Sequence, residues 1–182
     1  MKRLLFIIIL GLVIGSGTGY IANAYTVTGC RYSPGSIDPI AYRFFAVSDS
    51  SLINASKFGA DAWNLTPSPG FFREESISLD PEINITDDLY PSSPFYAVIQ
   101  FQCTNGYYNG NEVNFIWNNS FSVFLNSNKK RAVASHELGH AYGLDHVTTL
   151  CRIMRADVGD MTDCLISTPQ TDDINGAIAV NS

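Results

Sequence analysis

The chain has 182 residues, and its 11 basic and 17 acidic side chains give a formal net charge of −6. This acidic balance excludes the basic surface that nucleic acids or anionic membranes require, so we expect neither as a partner. The length is sufficient for one globular domain with a sizeable hydrophobic core.

The first 24 residues have the layout of a secretory signal peptide. Two basic residues precede an apolar run from Leu4 to Ile14, and Ala22-Asn23-Ala24 matches an A-x-A cleavage site. The apolar run is short for a membrane span, so an uncleaved anchor is the less favoured alternative. Cleavage after Ala24 predicts a secreted, extracellular domain of residues 25–182, with a net charge near −8 and no stable membrane association.

Four cysteines, Cys30, Cys103, Cys151 and Cys164, form an even set in a chain predicted to be exported. Disulfides persist in oxidising compartments, so we expect two disulfide bonds rather than free thiols that could bind a metal. Four cysteines permit three pairings, and the sequence leaves all three open. We favour a local Cys151–Cys164 loop with a long-range Cys30–Cys103 link.

The predicted mature chain contains no repeat and no low-complexity linker. Gly, Pro, Ser and Asn are scattered between short apolar stretches, which is typical of a single α+β domain. Residues 41–46 predict a first strand. Apolar residues recur at helical spacing over residues 51–65, which predicts a helix that directs Trp63 to the core and ends before Pro67.

The second half of the chain predicts three strands and a helix. Residues 95–103, FYAVIQFQC, are rich in β-branched and aromatic side chains and predict a central strand. Residues 113–117 and 121–125 predict two further strands joined by an Asn-Asn-Ser turn. Residues 126–128 offer N-cap side chains for a helix that begins near Lys129.

All three histidines of the chain lie on that predicted helix or just after it, in the segment HELGHAYGLDH. His136 and His140 are four residues apart, so a helix places both imidazoles on one face, within reach of one ion. Glu137 is close enough to contact a reacting water rather than the ion. Gly143 can end the helix in the left-handed conformation, which lets the chain return His146 as a third ligand.

This pattern predicts a catalytic zinc site. Three neutral imidazoles leave the fourth position of a tetrahedral ion open, unlike the closed ligand set of a structural site. A histidine on a helix is most often an ordinary residue, and a bare HExxH arises by chance. The longer pattern HExxHxxGxxH fixes five positions, so we interpret the three histidines as metal ligands.

The same residues resemble the metzincin signature of zinc endopeptidases. Met154, eight residues after His146, stands at the position of the methionine in the clan's Met-turn. The resemblance implies a metzincin catalytic domain of the α+β class. It would contain a twisted, mostly parallel sheet with an antiparallel edge strand, an active-site helix, a Met-turn and a C-terminal helix. Met154 would form an apolar floor beneath the ligands, although an ordinary core methionine is the alternative.

Within the clan the chain looks most like the matrixins, the matrix-metalloproteinase type with small bacterial relatives. The spacing of the methionine has the matrixin value, and TDDINGA, residues 171–177, resembles the stretch that opens the matrixin C-terminal helix. Ala156 stands where astacin-type and serralysin-type enzymes have a tyrosine that reaches the zinc. By this resemblance, Asp172 or Asp173 ties the C-terminal helix to the Met-turn or to the mature N-terminus, which is a structural role.

Several positions depart from the matrixin pattern. Val147 follows the third histidine where Ser or Thr is usual, and Arg155-Ala156 replaces Tyr-Pro. We recognise no cysteine-switch segment or propeptide, and no spare histidines for a second, structural zinc. Acidic residues such as Asp80, Asp87 and Asp88 could bind calcium, although acidic loops are usually only solvated.

The predicted function is that of a secreted, monomeric, zinc-dependent endopeptidase acting on a protein or peptide substrate. Glu137 would act as the general base while zinc polarises the scissile carbonyl and activates water. A strand before the helix, either 113–117 or 121–125, would present its edge to an extended peptide. Two alternatives remain open: a zinc amidase acting on cell-wall peptides, and a non-catalytic zinc-binding adhesin, against which Glu137 argues.

Overall fold

The computed structural model describes residues 25–33, 37–76, 81–109, 113–157, 159 and 163–182. The predicted signal peptide, residues 1–24, and Asp80 lie outside these ranges. In chain order the elements are β1 (Thr26–Val27), β2 (Ile40–Phe44), α1 (Ser50–Asn64), β3 (Phe72–Glu74), β4 (Ile83–Asp88), β5 (Ala97–Gln100), β6 (Cys103–Thr104), β7 (Tyr107–Tyr108), β8 (Val113–Asn118), α2 (Asn119–Ser122), α3 (Ser127–Ala141), β9 (Leu144–Asp145) and α4 (Thr171–Asn181).

Five strands form one mixed sheet in the order β3–β2–β4–β8–β5. The first four are parallel to one another, and β5 pairs antiparallel with β8 at one edge. This confirms the predicted α+β fold with a mostly parallel sheet and an antiparallel edge strand. Alternate side chains of β4 and β8 are fully buried against the core, as expected for a sheet covered by helices: Ile83, Ile85, Val113, Phe115 and Trp117.

The strand order corrects two predictions about the sheet. The strand predicted as central over 95–103 is the edge strand β5, and β8 holds the interior position between β4 and β5. The expectation that 113–117 presents its edge to a substrate is therefore wrong, because β8 is hydrogen-bonded to a strand on each side.

The strand predicted over residues 121–125 is also wrong, because Asn118 ends β8 and caps the short helix α2. Its Oδ1 accepts hydrogen bonds from the main-chain N–H groups of Ser120, at 3.1 Å, and Tyr90, at 3.0 Å. Its Nδ2 donates to the Tyr90 and Ser93 carbonyls, each at 3.0 Å. A buried amide satisfied in this way favours a helix cap over a continuing strand. Phe124, apolar in the sequence pattern, is 83% exposed.

Helices α1 and α3 pack closely against each other, and α3 carries His136 and His140. A Cβ atom at Gly59 of α1 would lie 2.9 Å from the main-chain atoms Ala134 C and Ser135 N of α3, so only glycine permits this approach. Trp63 is fully buried, as predicted, and its Nε1 donates to the Ser135 carbonyl at 2.8 Å. None of the helices in the described ranges is both long and apolar enough to cross a membrane.

Helix α3 begins at Ser127, two residues before the predicted Lys129. Its N-cap is Asn126, whose side-chain oxygen accepts the N–H of Lys129 at 2.9 Å. The predicted N-cap segment is therefore correct, and only the first two residues of the helix were missed.

Two disulfide bonds form, Cys30–Cys103 and Cys151–Cys164, which is the favoured pairing of the three possible ones. The first joins the segment after β1 to the small β6–β7 hairpin across 73 residues. The second closes a loop of 13 residues that follows the third histidine. Both bonds therefore brace segments adjacent to the histidine cluster.

We expect Gly59→Ala to lower the free energy of unfolding by about 1–2 kcal/mol. The added methyl group would force α1 away from the main chain of α3, and the higher helix propensity of alanine offsets only part of that cost. Urea denaturation followed by circular dichroism measures the change. Asp61→Ala, on the exposed side of the same helix, is the control and should stay within about 0.5 kcal/mol of wild type. Equal stability of Gly59→Ala and wild type would contradict the close packing.

Candidate active site

The three histidines converge on one point at the end of α3. Their Nε2 atoms form a triangle, with 3.1 Å between His136 and His140, 3.1 Å between His136 and His146, and 3.2 Å between His140 and His146. In the part of the chain that the structure describes, this is the one cluster of three or more potential ligand side chains that could share a metal ion.

Two main-chain carbonyls orient the histidine rings on α3. Nδ1 of His136 lies 2.7 Å from the Ile153 carbonyl oxygen, and Nδ1 of His140 lies 2.7 Å from that of Leu144. Because a carbonyl oxygen only accepts hydrogen bonds, each Nδ1 must carry the ring proton. Each neutral ring therefore directs an unprotonated Nε2 into the cluster.

Burial keeps these two rings neutral. It lowers the pKa of His136 well below its ordinary value, and the neighbouring His140 lowers it further against the opposing Ile153 hydrogen bond. Burial also lowers the pKa of His140 to about 4, against the effect of the Leu144 hydrogen bond. Neutral imidazole is the form that binds a metal ion, so these two rings are ready for ligation at neutral pH.

The donor set fits a tetrahedral zinc ion. Two lone pairs that face each other across 3.1 Å repel unless a cation lies between them. Zinc–nitrogen bonds of about 2.1 Å in tetrahedral geometry place the ligand nitrogens roughly 3.4 Å apart, close to the observed triangle. Carbonyl acceptors on Nδ1 are also the usual outer partners of metal-binding histidines.

Glu137 is buried beside the histidine cluster and faces β5. The main-chain N–H of Ile99 donates a hydrogen bond to its carboxylate. Burial raises the pKa of Glu137 to about 8, and the Ile99 hydrogen bond opposes this rise. A cation among the histidines would favour the charged carboxylate, which is the form that accepts a proton.

The edge of β5 lies along the cleft that contains these side chains. The Asn118 N–H of β8 donates to the Tyr96 carbonyl. In an antiparallel pair, every second residue of a strand directs its N–H and C=O toward the partner strand and the residues between direct theirs away. The main-chain groups of Ala97 and Ile99 therefore point away from β8. The cleft has a volume of about 810 Å³. Its lining includes β5, the histidines with Glu137, and residues 155–157.

Gly143 turns the chain from α3 toward the third histidine. Helix α3 ends at Ala141, and Gly143 has a φ of +95°, in the left-handed region that residues with a Cβ rarely adopt. The two residues of β9 then lead directly to His146. Position 143 therefore needs glycine for the reversal that brings the third ring to the other two.

Met154 packs directly beneath the ligand-bearing turn of α3. It is 1% exposed, and its Sδ lies 2.2 Å from where a Cβ at Gly139 would stand. Glycine between the two helical histidines thus admits the methionine sulfur. The Met154 carbonyl accepts the N–H of Val147 at 3.0 Å, so the same turn also holds the chain that follows His146.

Asp173 joins α4 to the turn that contains Met154. It is 1% exposed, and its carboxylate accepts N–H groups from Gln170 at 2.8 Å, Ile153 at 3.2 Å and Met154 at 3.3 Å. Burial raises the pKa of Asp173, and these hydrogen bonds oppose the rise. Asp172 lies nearer the surface and pairs with Arg152 at 2.6 Å. Of the two aspartates, Asp173 makes the buried connection to the turn.

Two of the three aspartates proposed for calcium accept hydrogen bonds from neighbouring loop residues. Asp87 accepts the N–H and the hydroxyl of Ser48, at 2.9 and 3.0 Å, and Asp88 accepts the N–H of Leu89 at 2.7 Å. Neither belongs to a cluster of potential ligands within the described ranges. The structure therefore gives no support to the calcium prediction.

Sequence reasoning missed the residues that act on the site through main-chain contacts. The Ile99 N–H reaches Glu137, and the hydroxyl of Tyr108 donates to the His140 carbonyl at 2.9 Å. Thr26 donates its hydroxyl to the His146 carbonyl. No motif marks these residues, because each contact joins positions far apart in the chain.

No protein-family model matches the chain, and no curated protein matches it. Among solved structures, two of myroilysin are similar at 16% identity. The match to the first has a TM-score of 0.45 and covers 67% of this chain and 54% of the myroilysin chain. The match to the second has a TM-score of 0.41 and covers 82% of this chain and 76% of the myroilysin chain. High choriolytic enzyme 1, a hatching enzyme zinc-protease from Oryzias latipes, matches at 14% identity and TM-score 0.40, covering 72% of this chain and 55% of its own. The chain thus spans about half of the first myroilysin chain.

We expect Asp173→Asn to lower the free energy of unfolding by about 1–3 kcal/mol. An amide group replaces one acceptor oxygen, so at least one buried N–H of Ile153, Met154 or Gln170 loses its partner. Asp172→Asn is the matched control and should cost less than about 1 kcal/mol, because its ion pair is partly exposed. Urea denaturation of both variants provides the measurement. Equal losses in the two variants would contradict the assigned difference.

Proposed function

We propose that the chain is a zinc-dependent endopeptidase of the metzincin type. The observation that carries this proposal is the triangle of Nε2 atoms, with sides of 3.1–3.2 Å, beside a buried glutamate in an open cleft. A site that only held a metal would have no use for Glu137. The carboxylate next to the ligands therefore favours hydrolysis over a binding function.

Within this class, we propose the matrixin type. The spacing from His146 to Met154 supports it, as does the connection of Asp173 to the turn of Met154. Ala156 lines the cleft and has no hydroxyl that could reach a metal, so a tyrosine ligand of the astacin or serralysin kind is absent at that position.

Glu137 moves the proton in the proposed reaction. The three histidines would hold zinc, which would supply Lewis acidity to polarise the scissile carbonyl and to make water a better nucleophile. The Glu137 carboxylate accepts a proton from the attacking water as the new C–O bond forms. It then gives this proton to the amine nitrogen as the C–N bond breaks.

The substrate in this proposal is a protein or peptide in extended conformation. The main-chain groups of Ala97 and the carbonyl of Ile99 face the cleft, so a peptide strand can pair with the β5 edge and lie across the histidines. The two disulfides support an oxidising, extracellular compartment. The proposal includes signal cleavage after Ala24 and a monomeric domain of residues 25–182.

We expect Glu137→Gln to lower kcat by at least about 100-fold while zinc remains bound, because the amide cannot accept the proton. Cleavage-rate assays on a mixed peptide library and metal analysis of the same sample measure the two effects. Glu75→Gln changes a surface carboxylate that pairs with Arg73, and it should retain wild-type activity. Near wild-type turnover in Glu137→Gln would eliminate the proposed role.

The same library distinguishes the alternative functions. Cleavage of ordinary peptides by the zinc-loaded wild type supports the endopeptidase. Cleavage confined to cell-wall peptides would indicate an amidase, and no cleavage by a protein that binds zinc would indicate a binding module.

Removal of the metal should abolish cleavage and lower the unfolding temperature, because the imidazole lone pairs then face each other without a cation. Zinc at 100 times its Kd stabilises the folded state by about 2.7 kcal/mol. Differential scanning calorimetry before and after chelation, and after zinc is restored, measures the effect. Calcium is the control and should restore neither property, since it binds oxygen rather than nitrogen ligands. Recovery with calcium alone would contradict a histidine site.

A further inference from the structure

The segment Tyr25–Cys30, which we call the N-terminal clamp, lies against the loop that carries the third histidine. In β1, Thr26 is opposite Asp145 and Val27 is opposite Leu144 of β9. These two partners directly precede His146. The third ligand therefore follows a strand whose pairing partner lies about 120 residues earlier in the chain.

Hydrogen bonds from the clamp hold both ends of this loop. At its start, the Thr28 N–H donates to the Gly143 carbonyl at 2.9 Å, and the Thr28 hydroxyl reaches the same oxygen at 3.3 Å. At its end, the Thr26 hydroxyl donates to the His146 carbonyl. The main chain from residue 143 to residue 146 is thus bonded to the clamp at its first and last carbonyl groups.

Close packing fixes the clamp in place. A Cβ at Gly143 would lie 2.5 Å from the Cys30 carbonyl oxygen, so the loop and the clamp are in direct contact. Cys30 is in turn tied to Cys103 by a disulfide. On the side of α4, a Cβ at Gly176 would lie 2.8 Å from Tyr25 Cγ and 2.7 Å from Leu144 Cδ2. The clamp is therefore held between the ligand loop and the C-terminal helix.

His146 needs this support more than the other two ligands do. His136 and His140 stand on a fifteen-residue helix, and their Nδ1 atoms are bonded to carbonyls. His146 is exposed and follows a strand of two residues. The turn of Met154 supports the chain after it, through Val147, and the clamp supports the chain before it.

We propose that Thr26 is a positioning residue for the metal site, and that docking of the N-terminal clamp sets the metal affinity by holding His146 in place. This inference rests on the proposed function only in requiring that the three histidines bind a metal. Thermodynamic linkage makes the coupling reciprocal, so metal binding also stabilises the docked clamp.

The test compares Thr26→Val, which removes the hydroxyl at nearly constant volume, with Thr26→Ser, which retains it. The zinc Kd is measured by chelator competition, and the visible spectrum of the Co²⁺ form reports the ligand geometry. We expect Thr26→Val to weaken zinc binding about three- to tenfold, the range for loss of one hydrogen bond, and to alter the Co²⁺ spectrum. Thr26→Ser should bind as wild type does.

Thr66→Val is the matched control. It removes a hydroxyl that donates to the main-chain carbonyl of Trp63, at 2.7 Å, after the end of α1. It should leave the zinc Kd and the Co²⁺ spectrum unchanged, so that a general loss of stability is distinguished from a shift of the ligand loop.

Hydrogen exchange gives an independent readout of the reciprocal effect. Zinc should slow exchange of the Thr28 amide, which donates to Gly143, in wild type and less so in Thr26→Val. A wild-type zinc Kd for Thr26→Val would overturn this inference and leave the peptidase proposal standing. Failure of the wild-type protein to bind zinc at all would overturn both.

Discussion

The close approach of three imidazole nitrogens is the constraint on which the rest of the molecule depends. Two of these nitrogens carry lone pairs that face each other across 3.1 Å, an arrangement that costs free energy without a cation. The protein holds it through hydrogen bonds from Nδ1 to the Ile153 and Leu144 carbonyls, which set both the proton positions and the ring angles. Folding thus holds the nitrogens at a distance at which their lone pairs repel each other, and a bound metal ion would remove this repulsion.

Several segments around the cluster hold the three imidazole rings in place. Helix α3 supplies two rings and brings Glu137 to the cleft, while Gly59 lets α1 pack closely behind it. The turn of Met154 lies beneath α3 and is anchored to α4 by Asp173. The N-terminal clamp bonds to the loop of His146 at the Gly143 and His146 carbonyls. Both disulfides brace loops next to the histidine cluster, and they therefore hold together a site built from segments that are distant in the chain.

Much of the fold and of the candidate site could be predicted, but the strand arrangement could not. The mostly parallel sheet, the helix bearing the histidines and the cysteine pairing agree with the prediction. The run 121–125 was misassigned because apolar residues alone indicate a strand, whereas Asn118 starts a helix there through bonds to Tyr90, 28 residues away. The interior position of β8 and the edge position of β5 follow from non-local pairing, which periodicity does not encode.

The sequence by itself determined the chemistry of the ligands and their local geometry. Helical spacing places His136 and His140 on one face, and a glycine at 143 permits the left-handed turn, because both effects act within a few residues. Only the tertiary structure decided which groups complete the site. The Ile99 N–H on Glu137 and the Thr26 hydroxyl on His146 join residues 38 and 120 positions apart, and such main-chain contacts exist only once the chain has folded.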